Sequence, residues 1–184
     1  MRYRSQQVAY WYFAVAMALF GLQIAFGLLS ASKYLGPDPL LYILPFDVSK
    51  MIHTNLLIVW VVAGYRGATY WLVPEESQTE LYSVKLAYVQ LGLWAAMGVT
   101  AIIGYLFRYG TGNKLLEQPL PHKLVIVAVM LMFLYNVGMT IWRARRFTTT
   151  EGVLLLGLGG AAALFLPALI PFENYTVSIF FRWW

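Results

Sequence analysis

Cysteine is absent from this 184-residue sequence, and charged side chains make up only 11% of it. Without thiols the chain can form no disulfide, zinc finger or iron–sulfur cluster, and it has no thiol nucleophile. Its two histidines, His53 and His122, are the strong ligands that remain for a soft metal ion. Any redox chemistry must therefore come from a bound cofactor.

The scarcity of charge goes with long apolar runs. Hydrophobic residues make up 60% of the chain, and the mean hydropathy is +0.65. A helix that crosses a bilayer needs about 20 mostly apolar residues, and short polar breaks separate several runs of that length. We therefore predict an all-α, polytopic membrane bundle that forms one domain over residues 1–184. The predicted spans are residues 10–31, 50–73, 84–107 and 122–142, a fifth that ends at about Ile170, and residues 177–184 as the start of a sixth.

Capping patterns predict where helices begin. Ser, Thr, Asp and Asn are favoured at the N-cap, and Ser or Thr followed three residues later by Glu forms a capping box. Pro74 is expected to close the second span because proline cannot continue the helical hydrogen bonds. The expected caps are Asp47 or Ser49 for the second helix, Ser77 with Glu80 for the third, and Thr148 with Glu151 for the fifth.

The 13 basic residues are scattered among the loops, so the net charge of +5 does not indicate a nucleic-acid partner. They divide almost evenly between the two sides of the predicted bundle. An arginine cluster at positions 143, 145 and 146 tips the balance towards a cytoplasmic N-terminus, as does Arg66. Arg66 follows His53 by about 20 Å along a helix, so we expect it to reach the opposite interface and to have no catalytic role.

His53 lies about one turn inside the second predicted span, in the run MIHTNLLIVW. An ionisable side chain at that depth is costly and is usually functional. A neutral imidazole that faces the interior of a bundle is well suited to bind haem iron, with its second nitrogen hydrogen-bonded to fix the ring. The alternative is an interfacial histidine that bonds a neighbouring helix.

His122 lies at the mouth of the fourth span, beside Pro121, where a solvated helix cap is the favoured interpretation. Both histidines are predicted on the same side of the membrane. A bis-histidine haem between the second and fourth spans is therefore a reserve model.

The loop before the fourth span contains one carboxylate, Glu117, close to Lys114. Glu117 could bind a cation, accept protons or form a weak surface ion pair with Lys114. Other basic residues on the same side could neutralise haem propionates, although ordinary snorkelling to the interface accounts for each one taken singly.

Six short runs occur in order along the chain: MRYRSQ (1–6), MIHTNLLIVW (51–60), LVPEE (72–76), LEQP (116–119), NVGMT (136–140) and RWW (182–184). Together they closely resemble the N-terminal part of the large, cytochrome b subunit of bacterial cytochrome c-dependent nitric oxide reductases. Those large subunits are members of the haem-copper oxidase superfamily. The MIHTN segment is the most specific part of the resemblance.

The resemblance implies a twelve-helix subunit of the bacterial inner membrane that holds a low-spin haem b, a high-spin haem b3 and a non-haem iron. Such a subunit reduces two molecules of nitric oxide to N2O and water, with electrons from a membrane-anchored cytochrome c partner on the periplasmic side. His53 matches the family's first axial ligand of the low-spin haem b. Glu117 matches a loop glutamate of the proton route and propionate region. Lys114 stands where the family usually has a calcium-ligating glutamate, which puts calcium in doubt; we expect its ammonium to carry part of that charge.

In the family, the second haem b ligand, the haem b3 ligand and the non-haem iron ligands follow the RWW run. The resemblance therefore predicts that this chain supplies His53 but no catalytic iron ligand, whether it is a split subunit, a truncated chain or a fragment. Two alternatives stay open. One is a non-catalytic haem-binding membrane anchor that uses His53 and His122, and the other is the matching part of a cbb3-type oxidase, which the loop and terminal runs disfavour.

Overall fold

The computed structural model describes residues 2–36, 44–109, 118–144 and 146–169. Within these ranges the secondary structure is helical, and the predicted all-α fold is confirmed. The helices, in chain order, are α1 (Ser5–Ser32), α2 (Phe46–Ser77), α3 (Val84–Leu106), α4 (Leu120–Trp142) and α5 (Thr149–Leu169).

Four of these helices, α1 to α4, are long and apolar enough to cross a membrane. The predicted fifth helix is present as α5, and its apolar stretch Thr149–Phe165 is shorter than the other four. The polytopic membrane bundle predicted from the sequence is therefore confirmed. Residues 177–184, predicted to begin a sixth helix, lie outside the described residues.

The second helix is longer at both ends than the sequence indicated. It begins at Phe46, directly after Pro45, whose ψ of 153° is not helical. The predicted caps Asp47 and Ser49 are wrong, because both lie inside the helix, where the Ser49 hydroxyl donates to the Phe46 carbonyl at 3.0 Å. Pro74 does not close the helix either. α2 continues through it to Ser77, at about 48 Å in all for 32 residues.

The predicted capping box that joins Ser77 and Glu80 is also wrong. The N-cap of α3 is Ser83, whose side chain accepts a hydrogen bond from the Leu86 backbone N–H at 3.1 Å. Ser77 instead ends α2, and its hydroxyl donates to the carboxylate of Glu151.

The second predicted capping box, at the start of α5, is confirmed. The Thr148 backbone N–H donates to a Glu151 carboxylate oxygen at 2.9 Å, and the Glu151 N–H donates to the Thr148 hydroxyl at 3.2 Å. Each residue thus satisfies a backbone donor that the first turn of the helix leaves unpaired.

The pair formed by α1 and α2 is the most extensive helix contact of the described chain. The two helices run antiparallel, and small residues allow their backbones to approach. A Cβ atom at Gly67 would lie 3.1 Å from the Tyr12 Cβ and 3.3 Å from the Ala9 carbonyl oxygen. Close packing through small residues is how helices associate where lipid removes the hydrophobic driving force.

Hydrogen bonds between residues far apart in sequence close one end of the bundle. The Gln6 side-chain amide donates to Glu75 at 2.6 Å, and the Glu80 carboxylate accepts from the backbone N–H groups of Arg4, at 2.6 Å, and Ser5, at 3.2 Å. The start of α1 is thereby joined to the end of α2 and to the connection that follows it.

The same end joins the other three helices. The Ser83 N–H donates to the Asn136 side-chain oxygen at 2.9 Å, and the Asn136 amide donates back to the Ser83 carbonyl at 3.0 Å. Ser77 reaches α5 through Glu151, as described above. We call this the tethered end of the bundle, defined by Gln6, Glu75, Ser77, Glu80, Ser83, Asn136, Thr140 and Glu151.

The opposite end has its own smaller apolar core. Val48, Ile52 and Leu56 of α2 pack there with Ala101 and Tyr105 of α3. This cluster lies beside His53 on α2. We call this the His53 end, and it holds the candidate site.

Candidate functional site

The imidazole of His53 projects from the second turn of α2 against α1. Its Nδ1 atom lies 2.8 Å from the backbone carbonyl oxygen of Gln23. Because a carbonyl oxygen only accepts hydrogen bonds, this contact places the proton on Nδ1. The lone pair of the ring is therefore on Nε2, the nitrogen that is available to a metal ion.

The side chain of Gln23 lies along the edge of the same ring. Its amide nitrogen is 3.4 Å from Nδ1 and 3.5 Å from Nε2 of His53. With Nδ1 already a donor, the Gln23 amide can donate only to Nε2, and at that distance the bond is weak. The backbone and the side chain of Gln23 thus hold the imidazole in place, and they form only a weak bond to Nε2.

Gly27, one turn further along α1, leaves the space that the imidazole occupies. A Cβ atom built there would lie 2.7 Å from Cε1 and 2.8 Å from Nδ1 of His53, distances that real Cβ contacts do not show. Gln23 and Gly27 are four residues apart and so share one face of α1. The sequence reasoning missed both residues; the available signal was a glutamine inside an apolar span, one turn before a glycine.

These contacts fit the requirements of a haem-ligating histidine. Metal-binding imidazoles usually donate their second N–H to a carbonyl or carboxylate, which fixes the tautomer and raises the basicity of the ligating nitrogen. His53 has this arrangement, and it is half-buried rather than enclosed. The neighbouring Ile52 and Leu56 are buried in an apolar cluster with Tyr105 of α3.

Asn55, two residues after His53, joins α2 to the start of α4. It is buried, its amide donates to the Met51 carbonyl at 2.9 Å, and its side-chain oxygen accepts from the Gln118 amide at 3.1 Å. Gln118 is the first described residue after the loop. The candidate site residues Lys114 and Glu117 lie outside the described residues.

The second histidine, His122, faces a different helix. It lies half-buried in the first turn of α4, with its Nε2 3.0 Å from the Thr100 hydroxyl of α3. His53 instead contacts α1. The two imidazoles are therefore not brought together, and the reserve model of a haem held between them has no support in this arrangement.

Arg66 does not reach the opposite interface, so that prediction is wrong. Its side chain is only 3% exposed, and the guanidinium carbon lies 4.5 Å from the centre of the Trp94 ring and 5.4 Å from that of Phe133. The prediction placed the end of the second span too early. α2 continues for eleven residues beyond Arg66, about 16 Å, which leaves the guanidinium deep within the bundle.

Among the described residues, no three His, Cys, Asp or Glu side chains are grouped so that they could hold a metal ion. Of the described residues, His53 combines a ring held by a backbone carbonyl with a second ring nitrogen that has only a weak partner.

The chain belongs to the family of cytochrome c and quinol oxidase polypeptide I, whose model matches residues 7–184. Its similarity to a curated relative is more specific. The chain is 43% identical over 198 aligned positions to a nitric oxide reductase subunit of Stutzerimonas stutzeri, an alignment that covers 100% of this chain and 41% of that protein. The resemblance inferred from the six short runs is thereby confirmed, and this chain spans about two fifths of the relative's length.

Proposed function

We propose that this chain forms the N-terminal section of a respiratory nitric oxide reductase large subunit and supplies His53 as one axial ligand of its low-spin haem b. The observation that carries the proposal is the hydrogen bond from His53 Nδ1 to the Gln23 carbonyl, which leaves Nε2 for iron. The space at Gly27 supports it, as does the similarity to the nitric oxide reductase subunit of Stutzerimonas stutzeri.

The complete subunit then reduces nitric oxide, 2 NO + 2 e⁻ + 2 H⁺ giving N2O + H2O. The second haem b ligand, the haem b3 ligand and the non-haem iron ligands come from other helices of that large subunit. Residues 1–184 form one membrane domain within it, in the bacterial inner membrane, with the N-terminus in the cytoplasm. Electrons arrive from a membrane-anchored cytochrome c subunit on the periplasmic side.

The chain's own residues orient and shield the haem ligand. The haem, when bound, supplies one-electron transfer. The Gln23 carbonyl holds the His53 ring and raises the basicity of Nε2, while the apolar cluster at the His53 end keeps water from the ligand. From the resemblance, we assign Glu117 and Lys114 to the proton route or the haem-propionate region, with the Lys114 ammonium taking part of the charge that calcium would carry.

The proposal is tested by replacing the ligand in the assembled complex. Reduced-minus-oxidised spectra of the complex with His53→Ala should lose the low-spin haem b signal and keep the high-spin haem. His122→Ala is the matched control, because that ring bonds Thr100 and is not a ligand in this proposal. An unchanged low-spin signal in His53→Ala would refute the role of His53. A low-spin signal lost in His122→Ala would instead support the membrane-anchor alternative.

A further inference from the structure

A groove with a volume of about 480 Å³ lies among α2, α3, α4 and α5. Two rows of residues line it, one on α2 and one on α5, and the residues within each row are four positions apart in sequence. The row on α2 is formed by Leu57, Val61 and Tyr65, each between 40% and 46% exposed. These side chains are thus uncovered in the described chain.

Arg66 lies at the bottom of this groove, and no carboxylate of the described residues pairs with its charge there. Its Nη1 atom is buried without a hydrogen-bond partner in this part of the chain, although the Tyr12 hydroxyl lies beside the guanidinium. In the described part of the chain, an ion pair joins Arg2, just before α1, to Glu75, and it does not involve Arg66. A buried cation left without a counter-charge is strongly unfavourable, so an anion at this point would stabilise the folded protein.

A second buried hydrogen-bond donor without a partner lies beside Arg66. Trp94, whose ring packs on the guanidinium and also lines the groove, has its indole N–H buried without a partner among the residues that the structure describes. Both unsatisfied groups are donors only. A negatively charged acceptor, such as a carboxylate, would therefore suit this point of the groove.

The depth of the site separates a protein carboxylate from a lipid headgroup. Arg66 precedes Glu75 by nine residues, about 13 Å along α2. Trp94 follows the N-cap Ser83 by eleven residues, about 16 Å along α3. Both positions are close to the middle of a hydrocarbon core about 30 Å thick, whereas lipid phosphates stay at its surface.

We propose that this groove receives a transmembrane helix that carries an aspartate or glutamate near the bilayer midplane, and that this carboxylate pairs with Arg66. The helix belongs to the section of the large subunit that this chain does not cover, so the inference rests on the proposed function. Two observations select this occupant. One is the buried charge of Arg66, which has no carboxylate partner among the described residues. The other is that the relative of this chain is more than twice as long as the part that matches.

The first experiment identifies the occupant of the groove. A photoreactive amino acid is placed at Val61 in the complete complex, and the cross-linked product is mapped by mass spectrometry. The expected product joins Val61 to a helix of the remaining large subunit within one or two turns of an Asp or Glu. Products that contain only lipid, another subunit or a second copy of this chain would overturn the proposal.

The second experiment tests the charge. Arg66→Met should lower the yield of assembled complex several-fold, because it leaves the partner carboxylate buried alone; replacement of that carboxylate by its amide in the same protein should restore much of the yield. An unpaired arginine predicts the opposite, since its removal would leave the yield unchanged or raised. Arg143→Met is the matched control, because Arg143 also packs on a ring, that of Tyr82 at 4.4 Å, but is exposed.

A negative result in these two experiments can be distinguished from a failure of the proposed function. The low-spin haem signal is measured in the same preparations, and its dependence on His53 does not require the Arg66 pair. A cross-link to a carboxylate-bearing helix together with a His53-independent spectrum would support the groove and reject the haem ligand.

Discussion

At the tethered end, side chains join all five helices through bonds to partners distant in sequence, whereas the His53 end leaves a coordinating atom with only a weak partner among the described residues. Asn136 exchanges two hydrogen bonds with the Ser83 backbone, and Glu151 accepts a bond from the Ser77 hydroxyl. At the other end the Nε2 atom of His53 has only a 3.5 Å contact with Gln23. One end is held together by bonds within this chain, and the other leaves a ring nitrogen of the proposed haem ligand weakly bonded.

The hydrogen bonds that stabilise the bundle and the candidate haem ligand thus lie at opposite ends of the helices. Buried polar groups stabilise a fold when their hydrogen bonds are satisfied, and an unsatisfied buried group costs stability. Substitutions at the tethered end should therefore change the stability of the bundle, and substitutions at the His53 end should change haem binding. Three predictions test this separation.

The largest effect is expected at Gly27. Gly27→Ala places a methyl group within 2.8 Å of the His53 ring, which must move away from the Gln23 carbonyl. We expect haem to be retained about 10- to 100-fold less well, the range seen when the groups that orient a metal ligand are lost. Haem content per assembled complex, read from pyridine haemochrome spectra during dilution, measures this effect.

Gly21→Ala is the matched control for Gly27→Ala. It makes the same change on the same helix, but nothing in the described chain lies within 4 Å of the added methyl group. The helix stability gained from alanine is then equal in the two variants. Equal haem retention in both would contradict the role assigned to Gly27.

A moderate effect on stability is expected at Asn136. Asn136→Ala removes both hydrogen bonds to the Ser83 backbone in a fully buried position. It leaves the Ser83 N–H unpaired, whereas the Ser83 carbonyl keeps its bond from the Ala87 N–H at 3.3 Å. The expected loss is about 2 kcal/mol in the free energy of unfolding. Denaturation of the purified protein in mixed detergent micelles measures it, and the low-spin haem spectrum of the folded fraction should not change.

Tyr135→Phe, on the neighbouring position of α4, controls for general disturbance of that helix. It removes a hydroxyl that bonds Tyr82 at 3.3 Å from an exposed position. Its stability should stay close to that of the parent protein. A haem spectrum altered by Asn136→Ala would show that the two ends are coupled and would break the comparison.

The smallest effect is expected at Thr148. Thr148→Ala removes the hydroxyl that accepts from the Glu151 N–H, and loss of an N-cap costs about 1 kcal/mol. Thr148→Ser keeps that hydroxyl and should keep most of the stability. The same denaturation measurement distinguishes the two, and equal losses in both variants would indicate that the methyl group, not the cap, matters.

Much of the fold was predictable because membrane-spanning helices can be identified from their apolar composition. Apolar runs separated by polar breaks predicted the helices α1 to α5, and the Thr148 capping box predicted the start of the last one. The same spacing between Ser77 and Glu80 predicted a capping box that does not form. A serine followed by a glutamate three residues later is only a local pattern, and here Ser77 bonds a glutamate 74 positions away.

The candidate site was predictable only in part. His53 was identified from its depth in an apolar run, but its partners Gln23 and Gly27 lie on another helix and became apparent only from packing. Arg66 was misplaced for a related reason. A sequence specifies distance along a helix but not what surrounds it, and two aromatic rings from α3 and α4 enclose the guanidinium.

The amino-acid sequence by itself determined that this chain is a helical membrane bundle, that it resembles a nitric oxide reductase large subunit, and that His53 is its candidate haem ligand. Only the tertiary structure decided which nitrogen of His53 is available, which residues make room for its ring, and that Arg66 lies at the bottom of a groove without a counter-charge from the described residues. The reason is physical. Apolar composition and helical period are local properties of the chain, whereas hydrogen-bond partners, clearances and counter-charges depend on which helices pack together.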